Sequence, residues 1–249
     1  MFGNAHYNIG KQIIDKIDID LSPSEKNAFL SGMVYADIGR FKFDKQSSVE
    51  SDSTHFVSEM KKYTITNEEK WFAYGIEMHI LQDEKTGEFL SNIFGEREFD
   101  YCNYILECGF LDYYFLKKTS SYIYNEFLTK FNFTQVNATF DLNRFSKFFE
   151  IPESNFESIC NSMILNFYSG KNKNNLVTYD ELIIKTYRSF EVKLSIDEIH
   201  EQEANILGTC ADACTIASRQ KFPEKIITKI DLETKKIVDL CKNALQFPK

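Results

Sequence analysis

Four prolines and ten glycines are all that break up a chain of 249 residues. So few residues that stop a helix or permit a tight hairpin, set among apolar residues recurring at three- and four-residue intervals, leave long helices as the main way to build a core. The 43% hydrophobic fraction, with 23 Phe and 13 Tyr, supplies enough apolar surface for one large domain or two small ones. We therefore expect an all-α, multi-helix bundle spanning 1–249, with an internal break near Ser169–Asn175 ("SGKNKNN"). Strand-like alternation is confined to short pieces such as Leu176–Tyr179 and Phe190–Leu194.

Start signals place the helices. The first is expected over Ala5–Ile17, with Ile9, Ile13 and Ile17 on one face. Ser22, Pro23 and Glu25 combine a capping box with proline at the first helical position, and Thr66 with Glu69 repeats the box. Between them, Gly39 ends the second helix, 42–53 reads as a polar loop, and a helix carrying His55, Val57 and Met60 follows. Further helices are expected over Phe99–Lys118, Ser120–Phe131, Asp141–Phe149, Pro152–Tyr168, Tyr179–Phe190, Ser195–Gln220 and Pro223–Leu245.

The helix opened by Thr66 carries Phe72, Ile76, His79 and Asp83 one turn apart. Residues so spaced share a face, so His79 and Asp83 point inward with the apolar pair. A buried carboxylate needs a cation or several donors. Two readings meet that need: a metal cage completed by His6, His55 and Asp37, or a His–Asp pair that staples the core. His200, in the acidic run "SIDEIHEQEAN", either approaches the site from afar or lies on a solvated face.

The net charge of -8 argues against a broad nucleic-acid footprint, which needs a basic face. The opening "MFGNAHYNIGKQIID" lacks a basic segment followed by an apolar run, and no apolar stretch approaches membrane-spanning length, so a cytoplasmic protein is expected. Six cysteines without a CxxC pair read as reduced thiols; Cys210 and Cys214, one turn apart, could share a metal or pack as small core residues.

The order His6, Asp37, His55, His79, Asp83 resembles the bacterial zinc-dependent phospholipase C family. "HYNIG", "FLSGMVYADIG", "STHF" and "FAYGIEMHILQD" are similar to its successive segments, over roughly residues 1–115, with 116–249 as a helical extension. The resemblance implies a bundle of that type and hydrolysis of a phosphodiester, such as a phospholipid headgroup, by metal-activated water. It implies that His55 and His79 bind one zinc, that Asp83 bridges to a second held by His6, and that Asp37 binds metal or acts as the base. In secreted members the N-terminal amine also ligates; here Met1 lies close to His6 in sequence. The chain departs from the family beyond His79. "EKTGEFLSN" has no histidine, and Asn103 stands one turn before Glu107, where the family has histidine. Glu107 alone is a poor zinc ligand set. The expectation is a reduced site of one or two zinc ions, with harder divalent ions as the alternative. A scaffold that keeps the fold but has lost catalysis is the other functional class.

Overall fold

A computed structural model describes residues 3–36, 53–96, 98, 101–118, 142–149, 195, 197–198, 201 and 224–245. These form seven helical segments and no strand: α1 (Gly3–Lys16), α2 (Pro23–Tyr35), α3 (Ser53–Tyr63), α4 (Asn67–Phe94), α5 (Tyr101–Lys118), a 3-10 segment η1 (Leu142–Phe149) and α6 (Glu224–Ala244). No helix among them is long and apolar enough to cross a membrane.

Both expected capping boxes are present. The Ser22 hydroxyl accepts from the Glu25 amide while the Glu25 carboxylate accepts from the Ser22 amide, and Thr66 and Glu69 do the same at the start of α4. Each box satisfies two of the amides that a helix start leaves open. α4 then runs 28 residues, through "EKTGEFLSN", until Gly95 ends it at φ 101°, a left-handed value that favours glycine.

α4 is the axis of the assembly, packed by α2, α3, α6 and α1. Residues 5–10 of α1 and 28–35 of α2 are buried on every side, as expected of helix ends driven into a core. α2 and α4 cross glycine to glycine. A Cβ on Gly32 would stand 2.1 Å from the Phe72 carbonyl oxygen, and one on Gly75 would stand 2.1 Å from that of Phe29. Only residues without a side chain allow two helix backbones this close.

α6 presents Ile226, Ile230, Ile237, Val238 and Cys241 as a buried stripe against α1 and α4. Polar contacts fix its register: Lys229 donates to the Ile93 carbonyl at the end of α4, and Asn92 donates to the buried Glu233. η1 is a 3-10 helix where an ordinary helix was expected. It docks through Phe145, which meets Phe72 and Tyr63, and through Arg144, which pairs with the buried Glu69 carboxylate and donates to the Tyr63 carbonyl. The expected break at 169–175 and the expected helices over 120–131, 152–168, 179–190 and most of 195–220 lie outside the described residues.

Candidate metal centre

His79 lies one turn beyond Gly75 on α4, so the glycine crossing holds its ring against the last turn of α2. There the His79 Nδ1–H donates to the Met33 carbonyl at 2.6 Å. A carbonyl can only accept, so Nδ1 carries the proton and, in the neutral ring, Nε2 offers a lone pair. The last turn of a helix is also its negative end, which favours this donor. His79 Nε2 points at Asp83 Oδ2, 3.2 Å away.

His6 reaches the same carboxylate from α1. Its ring stacks on His79 with centroids 3.8 Å apart, and its Nε2 lies 3.2 Å from Asp83 Oδ1. Its Nδ1–H donates to Gln82 Oε1 at 2.9 Å. Nε2 of His6 is fully buried and makes no well-aligned hydrogen bond. Two imidazole lone pairs thus face the two oxygens of one carboxylate. Acceptors at this separation repel unless a cation or a proton lies between them.

One ligand atom from each of His6, His79 and Asp83 lies within 4.8 Å of the other two. The set fits a divalent metal on two counts. Two imidazoles and a carboxylate are a common catalytic zinc set, leaving a fourth position open. Bonds of about 2.0–2.1 Å in a tetrahedron put neighbouring ligand atoms about 3.3 Å apart; each ring nitrogen lies 3.2 Å from a different oxygen of Asp83, so each pair matches one edge of such a site. Both histidines commit Nδ1–H to a second acceptor, the usual support for a metal-binding imidazole. The Asp83 side chain, 23% exposed against none for His6, is where the group opens outward.

The electrostatics keep His6 and Asp83 in binding form. Burial, then the neighbouring His79, lowers His6 to about 4, so its ring is neutral at physiological pH. Burial alone would raise Asp83; the chain's amino terminus, His79 and His6 outweigh it and hold the carboxyl well below the usual carboxylate range. Burial pushes the Cys241 thiol on α6 up to about 12, with the Gln82 amide beside it pulling the other way.

Of the residues singled out from sequence, the structure brings His6, His79 and Asp83 together. Asp37 and His200 lie outside the described residues, as does the side chain of His55, whose backbone is in α3. Glu107 is buried on α5 but is not part of the close group. Sequence reading missed Gln82 and the Met33 carbonyl. Gln82 had a signal: it follows His79 by three positions and precedes Thr86 by four, a polar residue on a stripe that is otherwise core. The Met33 carbonyl had none. No family model, curated protein or solved structure matches this chain.

Proposed function

We propose that His6, His79 and Asp83 hold a divalent metal ion, zinc by preference, and that the protein is a metal-dependent phosphodiester hydrolase of phospholipase C type. The observation that carries the metal reading is the convergence of two buried rings on one carboxylate: His6 Nε2 and His79 Nε2 each lie 3.2 Å from an Asp83 oxygen, while each Nδ1 faces an acceptor oxygen. Two imidazoles favour zinc over magnesium or calcium. Each carboxylate oxygen of Asp83 faces a different ring, so both oxygens would be available as ligands. The substrate class rests on the order of the five motif residues and their resemblance to the phospholipase C family.

When bound, the ion supplies a lowered pKa for water at the site and positive charge against phosphate oxygens. The chain's residues do the rest. His6 and His79 would hold the ion with buried imidazoles, and Asp83, the more exposed of the three, would supply the carboxylate ligand. By the family resemblance alone, Asp37 would orient the attacking water or take its proton, and His55 would be a further ligand beside His79.

The test uses metal-stripped protein. Zinc at a hundredfold excess over its dissociation constant should stabilise the fold by about 2.7 kcal/mol. The loaded protein should cleave bis(p-nitrophenyl) phosphate or phosphatidylcholine, and His79→Ala should lose both metal and activity. Zinc binding without hydrolysis would refute the enzyme. A folded protein that neither retains nor gains stability from zinc would leave the three side chains as a polar core staple in a non-catalytic scaffold.

A further inference from the structure

Gln82 occupies an unusual place. Its side chain is fully buried, its Oε1 accepts from His6 Nδ1–H, and its Nε2 is buried with no full hydrogen bond among the described residues. The Cys241 thiol of α6 lies beside the same amide. Its backbone carbonyl accepts from the Thr86 hydroxyl at 2.9 Å, so the residue is tied into α4 while its amide spans from His6 to α6.

An amide has two faces, and they impose opposite protonation on the ring beside them. With Oε1 toward His6, the imidazole must carry its proton on Nδ1, and Nε2 is left as a lone pair beside Asp83. With the amide turned over, Nε2 of Gln82 would donate to His6 Nδ1. The His6 proton would then move to its own Nε2 and bond Asp83 Oδ1. The first arrangement binds a metal; the second fills the metal's place with a proton. His79 has no such choice, because the Met33 carbonyl can only accept.

We infer that Gln82 is a positioning residue for the metal centre: its amide oxygen fixes the His6 tautomer and thereby makes His6 a metal ligand instead of a proton donor to Asp83. The inference rests on the metal reading above. Cys241 suits the role, since a thiol is a weak donor and a weak acceptor and tolerates the amide nitrogen without competing strongly for Oε1. The terminal helix α6 is thus in contact with the residue that sets a ligand's tautomer.

Two substitutions separate this role from packing. Gln82→Met keeps length and approximate volume but removes the acceptor. Gln82→Glu also keeps the shape and offers only acceptors. Zinc affinity by calorimetry, on metal-stripped protein, should fall about 10–100-fold in Gln82→Met, and Gln82→Glu should bind at least as tightly as the parent. Two-bond proton–nitrogen spectra of the histidine rings in the metal-free proteins supply an independent readout. The parent and Gln82→Glu should show His6 protonated at Nδ1, and Gln82→Met should show the proton moved to Nε2. Equal zinc affinity in parent and Gln82→Met overturns the inference, as does a Gln82→Met ring still protonated at Nδ1. A residue that only packs would give the reverse order, with Met tolerated and the buried Glu harmful. If the parent itself binds no zinc, the metal reading fails first, and that result cannot be confused with a failure confined to Gln82→Met.

Discussion

Alanine in place of glycine within a helix ordinarily stabilises it, by about 0.5–1 kcal/mol. α4 offers that substitution at two positions with opposite surroundings. A Cβ on Gly87 would meet nothing within 4 Å, so Gly87→Ala should give the ordinary gain. A Cβ on Gly75 would stand 2.1 Å from the Phe29 carbonyl oxygen and 3.0 Å from Gly32 Cα and Met33 N, all backbone atoms that no rotamer change can move. To reach van der Waals distance the two helices must part by roughly 1 Å, an overpacking that costs about 1–3 kcal/mol. The same shift would stretch the 2.6 Å His79–Met33 hydrogen bond past its useful range. That leaves a buried donor unmet, at about 1–3 kcal/mol. Set against the propensity gain, Gly75→Ala should lose about 2–4 kcal/mol, some 5–12 °C in melting temperature for a domain of this size. Thermal and urea unfolding of the two variants side by side is the assay. Because His79 loses its backing acceptor, zinc affinity should also fall about tenfold or more in Gly75→Ala and stay unchanged in Gly87→Ala. Equal stability gains in both variants would refute the close helix crossing and the account of how His79 is held.

Acid should weaken the metal-free fold. His6 titrates near 4 when folded and at its usual 6.5 when unfolded, so the unfolded chain takes the proton first as pH falls. Stability is full above about 6.5, and about 2–3 kcal/mol should be gone by pH 4.5. Asp83, held below the usual carboxylate range, adds a further loss at lower pH. Urea midpoints measured from pH 7.5 to 4.5 check this; a flat or rising midpoint would contradict it. Elsewhere, Glu69 serves both as the cap of α4 and as the buried partner of Arg144. Glu69→Ala strands the guanidinium and opens the helix start, so it should cost about 3 kcal/mol, whereas exposed Glu88→Ala should change the urea midpoint little. Similar midpoints for the two would show that η1 is not held through this pair.

Local rules carried the sequence a long way. Ser22 with Glu25, and Thr66 with Glu69, announce helix starts because a cap is satisfied within four residues. The placement of His79 and Asp83 on one face follows from helix geometry alone. Scarce Gly and Pro left helices as the material of the core. What the sequence could not determine lies across the chain. His6 meets Gln82 from 76 positions away, and Met33 meets His79 from 46 away. Nothing local tells Gly32 and Gly75 apart from Gly87, yet two of them touch across a helix crossing and the third faces solvent. The 3-10 geometry of η1 has the same origin, for its Phe145 and Arg144 answer to Tyr63, Phe72 and Glu69 on other helices. Composition and periodicity determined that the described part of this chain is helical and that His79 and Asp83 face inward with Phe72 and Ile76. Which lone pairs share a carboxylate was decided only when backbones 40 or more residues apart came into contact, because tautomer and ligand geometry depend on distances that no spacing along the chain encodes.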